Sequence, residues 1–388
     1  MPAGRYDTIV VGAGILGLAV ACELLARRPS ERVLVVERER APAMHQSSHN
    51  SGVIHGGIYY APGSLKARLC VDGAARMVAY CEQRGIAVRR LGKLIVALRP
   101  DELPALDELE RRAGANGVPG IRRLDADGLR DVEPHAAGIA ALHAPNTAVV
   151  DFAAVCRALA ADVRAGGGEL RCGWAVAGMT ATGRTIRLRA AGGDDVAAGR
   201  AIFCAGLWSD RLADLAGADC DPRIVPFRGA YLRLTPERRC VVRGLIYPVP
   251  DPRLPFLGVH LTPTIDGDVL LGPSARLVPT RHGLTWPGTY RMLRHHWRTG
   301  AHELQLAASR TAFAAEAGRY VPGITRDDLT PAFAGIRAQA IARDGRLVDD
   351  FVLSSTPRAV HVRNAPSPAA TASLALASLI VDHADRLP

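Results

Sequence analysis

The chain has 388 residues, more than one hydrophobic core ordinarily serves, so two units are expected. It is 48% apolar and 22% charged, with 39 glycines and 26 prolines spread along it, which excludes a disordered, collagen-like or low-complexity chain. The formal charge is +10, but of the 48 basic residues all except Lys66 and Lys93 are arginines, none of them in a long run; with only 5% aromatics this argues against nucleic-acid binding and fits an acidic substrate or a peripheral contact with an anionic membrane.

Residues 7–11 (DTIVV) read as a short buried strand that runs directly into Gly12-Ala13-Gly14-Ile15-Leu16-Gly17. Residues 18–28 follow as an amphipathic helix and 32–36 (RVLVV) as a second buried strand, ending at Glu37 and Arg38. This is the dinucleotide-binding pattern in its full strand–turn–helix–strand context. Gly12 permits the tight turn, Gly14 lets the backbone approach a pyrophosphate, and Gly17 packs helix on strand. From Ile15 onward the helix N-terminus offers free N–H groups and a positive dipole to phosphates. Glu37, 20 residues beyond Gly17, is placed to accept from the ribose hydroxyls and would repel the extra phosphate of NADP. FAD and NAD remain, and the N-terminal position with no second GxGxxG favours FAD.

No signal-peptide pattern precedes the first strand, and the apolar stretches 9–26 and 369–381 are interrupted or too short to span a bilayer. The eight cysteines form no CxxC and read as reduced thiols. The expected location is the cytoplasm, or the inner face of a membrane as a peripheral protein.

Residues 46–52 (QSSHNSG) and 53–60 (VIHGGIYY) come next. Ser48, His49, Asn50, Ser51 and Gly52 are positions where the backbone can lie against a flat ring and its phosphate tail. The stretch HNSGVIHGGIYYAPGSLKARLC (49–70) resembles the L-2-hydroxyglutarate oxidase/dehydrogenase family, within the D-amino-acid-oxidase-type FAD oxidoreductases. Later stretches agree in order: VPFRGAYLRL (225–234), IYPVPDPRLPFLGVHLTPTIDGDVLLGP (246–273), AGIRAQAIARDGRLVDDFVL (334–353) and NAPSPAAT (364–371). Two departures stand out. Ala230 replaces the acid of the family's PFRGE pattern, which bears on the pocket or the substrate. The C-terminal extension of some bacterial members is missing, which bears on membrane attachment.

The expected fold is α/β: a Rossmann-like FAD-binding domain (1–80, 140–222, 325–388) threaded by a discontinuous antiparallel-sheet substrate domain (81–139, 223–324), as in D-amino-acid oxidase. The short alternating segments 230–234, 257–261 and 268–271 between Pro/Gly turns support β structure over the re face of the flavin. Further FAD contacts are expected at Val176, at Ala205, Gly206 and Trp208 after an apolar strand, and at Ser367, Pro368, Ala369, Ala370 and Thr371. The last five open an Ala/Leu-rich helix whose N-terminus could stabilise negative charge on a reduced flavin.

A 2-hydroxy acid loses hydride from C2 to flavin N5 while a base takes the hydroxyl proton, a task for a neutral histidine. His260, in FLGVHLT, is the first candidate, with His55 and His49 as rivals. The carboxylate beside C2 needs a fixed cation, and Arg337 in AGIRAQ matches by motif the arginine that holds substrate carboxylates in amino-acid-oxidase relatives. Arg228, Tyr60 and Lys66 are candidates for a distal carboxylate. The histidines lack metal-ligand spacing. The resemblance implies oxidation of L-2-hydroxyglutarate to 2-oxoglutarate, with a quinone or dioxygen as electron acceptor. Two other readings stay open: an amino-acid or glycerol-3-phosphate oxidoreductase on the same fold, and a flavin-binding protein without turnover.

Overall fold

The computed structural model describes residues 6–251, 257–279 and 284–388; residues 1–5, and 252–256 of the motif at 246–273, lie outside the described residues. The strands Tyr6–Val11, Val33–Val36, Glu169–Arg171, Asp195–Phe203 and Ala359–Asn364 run parallel in an eight-stranded sheet, Glu169–Arg171 at its edge. Val176–Thr182, Thr185–Ala190 and Val352–Thr356 extend it antiparallel. Both faces of the parallel strands are covered, which is why they read as unbroken aliphatic runs. Val10, Val33, Val35 and Ile202 pack under the helices Ile15–Arg27, Phe152–Ala165 and Ala369–Asp385. Ile9, Val11, Leu34, Val36 and Phe203 face the other way, with Val196, against Leu188 of the antiparallel extension.

The second sheet has nine strands: Lys93–Ala97, Arg122–Asp125, Ala140–Ala144, Arg223–Leu234, Leu245–Pro248, His260–Pro263, Val269–Gly272, Arg276–Leu277 and Leu329–Ile341. Its register sorts the side chains. Ile95 lies opposite Tyr247, and Ile246 opposite Leu261. Alternation therefore puts Leu94, Val96, Ile246 and Leu261 on one face, where they bury against Phe313 of the helix Arg310–Gly318. The same alternation sends Lys93, Tyr247 and His260 to the opposite face. A small third sheet (Val53–Ile54, Val88–Arg90, Ala148–Val150) carries the segment ahead of His55.

Two stretches sit differently from the sequence-based division. Leu329–Ile341 pairs along Arg223–Leu234, and Ala140–Ala144 pairs with Lys93–Ala97, so both lie in the second sheet although the division groups 140–222 and 325–388 with the nucleotide-binding unit. Pairing partners tens to about a hundred positions away leave no mark on a strand's own alternation. Among the described residues no helix is long and apolar enough to cross a membrane.

Candidate active site

At the N-terminal loop the recognition surface is backbone. Gly12 has φ +104°, and a Cβ there would lie 2.5 Å from the Cys204 carbonyl oxygen. A Cβ at Gly17 would overlap the Gly12 carbonyl, while one at Gly14 would meet only the Ser47 hydroxyl. The helix Ile15–Arg27 starts at Gly14 with no side-chain cap and no acid in its first turn, and the Ile15 N–H donates to Ser47 Oγ at 2.9 Å. Glu37 accepts from the Ala13 N–H (2.8 Å) and the Glu39 N–H (2.9 Å), which aims its carboxylate along the loop. Gly173 and Trp174, just ahead of Val176, donate to the Glu39 and Glu37 carbonyls, so that strand entry flanks the acid. Arg38 lies 4.3 Å over the Trp208 ring, and Ala205 and Gly206 follow directly on Cys204, whose N–H donates to Val11. Small residues where backbone must be approached, an uncapped helix end and a buttressed acid at the second strand fit a bound FAD.

The loop from 46 to 60 is held from within and from the far end of the chain. The Ser48 hydroxyl bonds the Ala43 carbonyl and lies 2.9 Å from His49 Nδ1; Asn50 Nδ2 donates to Gln46 and Ser47, and its Oδ1 accepts from the Gly52 N–H. The His55 N–H donates to Thr371 Oγ1 (3.0 Å), and Thr371 donates to the Val53 carbonyl. The residues from Ser367 through Pro368, Ala369 and Ala370 to Thr371 thus meet this loop at the start of the helix Ala369–Asp385. The second sheet reaches the same loop, for a Cβ at Gly335 would overlap the His49 carbonyl.

Under the second sheet these parts enclose a group of titrating side chains. The His260 ring lies 4.1 Å from the Tyr247 ring, as the register across their strands requires. Its Nδ1 is 2.9 Å from the Gly258 carbonyl, which can only accept, so the proton is on Nδ1 and Nε2 keeps its lone pair. Burial, with smaller contributions from Arg337 and Lys93, pulls the His260 pKa down to about 3. Lys93 Nζ sits 3.5 Å from His55 Nδ1 and 4.3 Å from the Tyr247 ring centre. An ammonium can only donate, so His55 has its proton on Nε2. Burial first, then Lys93, His260 and Lys66, hold the His55 pKa well below its ordinary value. Burial raises the Tyr231 phenol, while the neighbouring Arg337 guanidinium and Ser51 hydroxyl act against that rise. Arg337 also lowers the pKa of Glu303, which burial raises.

Of the sequence candidates, the structure brings together His55, His260, Arg337 and Ser51. Tyr60 lies at their margin, its ring 5.5 Å from Lys66 Nζ, and Ser367 bonds its hydroxyl. The Lys66 ammonium is paired with Asp349 at 2.7 Å. Arg228 is exposed and, one step in register from the Phe227–Arg337 pair, falls on the opposite face. It is not part of the group. Sequence reasoning passed over Lys93 and Tyr247, which sit in the apolar runs LGKLIVA and LIYP and read there as core strand. The available signal was rarity: Lys93 is one of two lysines, and it is 1% exposed.

A family model described as FAD dependent oxidoreductase matches residues 7–383. The chain is 42% identical to a mitochondrial L-2-hydroxyglutarate dehydrogenase of Nematostella vectensis, over 99% of this chain and 91% of the relative. It is 39% identical to the L-2-hydroxyglutarate dehydrogenase of Escherichia coli K12, over 98% of this chain and 94% of that one. In fold it is similar to an L-α-glycerophosphate oxidase of Mycoplasma pneumoniae with FAD bound (TM-score 0.82, 23% identity, 98% of this chain and 95% of the other).

Proposed function

Since the chain belongs to the FAD-dependent oxidoreductases, as one of the family of the L-2-hydroxyglutarate dehydrogenases, we propose that it oxidises L-2-hydroxyglutarate to 2-oxoglutarate. The chemistry that FAD supplies when bound is two-electron acceptance of the hydride that leaves C2. The glycine loop, Glu37, the 48–52 loop and the start of the last helix would hold it. Arg337 binds the carboxylate beside C2, where its planar fork gives paired hydrogen bonds. His260 Nε2, the free lone pair of the pocket, takes the hydroxyl proton. The Nε2–H of His55 donates to the same oxygen as it becomes a carbonyl.

The observation that carries this reading is the pair of neutral histidines with opposite proton placement beside Arg337. One accepts and the other donates, as loss of a proton from an alcohol oxygen requires. The cations around them suit a dianion and would repel an amino acid's ammonium. The purified protein is expected to be yellow and to bleach anaerobically on adding L-2-hydroxyglutarate. A flavin left oxidised by that acid but reduced by amino acids or glycerol 3-phosphate would shift the assignment to those substrates. The electrons leave to a quinone or to dioxygen, which peroxide formation tells from quinone reduction. The protein works in the cytoplasm or at the inner face of a membrane, and fractionation separates the two.

A further inference from the structure

Every basic residue of this chain is an arginine except two, and both exceptions are buried: Lys66 is 5% and Lys93 1% exposed. Lys66 has its counter-ion in Asp349. Lys93 has no carboxylate partner among the described residues. The groups facing it are His55 from the loop, Cys70 from the helix Leu65–Gln83, Tyr59, Tyr247 from the neighbouring strand and His260 beyond it. Burial keeps all five neutral at pH 7: it lowers both histidines and raises the thiol and the phenols. A buried ammonium among neutral groups is a costly arrangement that an incoming anion would relieve. Two aromatic faces and one histidine nitrogen use part of its capacity, and three N–H groups leave room for another acceptor.

We infer that Lys93 holds the second, distal carboxylate of the substrate, while Arg337 holds the first. His260 feels the positive charge of both Arg337 and Lys93, so the proposed base is near both cations. A 2-hydroxy diacid that bridges them presents its C2 hydroxyl to the histidines, and its distal charge meets the one buried cation that lacks a counter-charge among the described residues. The inference rests on the substrate reading above and deepens it, for it makes Lys93 the residue that distinguishes a diacid from a monoacid. It also moves that role away from Lys66, whose charge is satisfied, and from Arg228, which points elsewhere.

The test compares wild type with Lys93→Met, which keeps length and volume and removes charge. It uses L-2-hydroxyglutarate, L-2-hydroxypentanoate (the same chain without the distal carboxylate) and glutarate as a non-reacting dicarboxylate inhibitor. Loss of a buried charged hydrogen bond is expected to raise the KM for L-2-hydroxyglutarate and the inhibition constant for glutarate by about 10²-fold. Because His55 also loses the ammonium that fixes its tautomer, the kcat should fall by up to about tenfold, well below the rise in KM, and the monoacid's KM should change at least about tenfold less than the diacid's. Equal loss for both acids, or a fall in kcat with KM unchanged, overturns the assignment. Flavin content and melting temperature check folding; if Lys93→Met fails there, Lys93→Gln takes its place with the same expectations. Wild type that is not reduced by L-2-hydroxyglutarate sinks the substrate reading, and glutarate binding to the two proteins then decides on Lys93 alone.

Discussion

The glycine loop and the pocket under the second sheet stand at opposite ends of the ways a protein can build a site. At the loop the working groups are main-chain N–H donors along consecutive residues, and side chains matter chiefly by being absent. In the pocket they are side chains drawn from four strands and a loop, brought together by register. Main-chain donors do not titrate, so the first site is indifferent to pH and intolerant of bulk. The second is crowded with histidine, lysine and tyrosine, all of them shifted by burial, and it answers to both charge and pH.

The sharpest test of that contrast is Gly17→Val. Its side chain would overlap the Gly12 carbonyl, so the purified protein should be colourless, and retained stoichiometric flavin would show that the loop yields more than its geometry allows. Next in size, His260→Ala should slow anaerobic flavin reduction by about 10²–10⁴-fold with little change in KM. His55→Ala should cost less, about 10²-fold, as loss of one donor to the reacting oxygen. If the two rank the other way in stopped-flow traces, the base is His55.

What could be read along the chain follows the same division. Gly12, Gly14, Gly17 and Glu37 lie within one strand–turn–helix–strand unit, so their spacing alone points to their task. His260, Tyr247, Lys93 and Arg337 owe their meeting to strand pairing, such as Leu245 on Lys93, that joins residues about 150 positions apart. A lysine inside LGKLIVA reads as part of a core strand until the facing strands are known. Arg337 was legible through a motif likeness, and Arg228 shows the limit of that approach: a neighbouring motif residue can lie on the wrong side of a strand.

A smaller effect distinguishes the two sites by pH. Burial pulls the Lys93 pKa down to about 8 from its ordinary 10.5, so in the free enzyme its positive charge fades as pH rises through that value. The KM for the diacid should climb over that range, while flavin retention stays flat; the step should vanish in Lys93→Met. Acid acts through the histidines. His260 stays neutral in the folded protein down to about 3, whereas an unfolded histidine takes up a proton near 6.5, so its share of stability is intact above 6.5 and lost as pH falls from there toward 3. Thermal melts from pH 7 to 4 should show the decline, reduced in His260→Phe. The smallest change is expected from Ser47→Ala, which removes an acceptor for the Ile15 N–H. A loss of about 1 kcal/mol, or about 2 °C in Tm, with flavin content unchanged, would confirm how little the loop depends on side chains.

The scarcity of lysine has a practical consequence for protein chemistry. Reagents that acylate or reductively methylate primary amines ordinarily label a protein all over its surface. Here, apart from the α-amino group, their targets are two recessed amines, one of them engaged by Asp349. An amine-directed label small enough to enter would therefore report on the pocket itself, and its exclusion by a dicarboxylate would read out occupancy without any turnover.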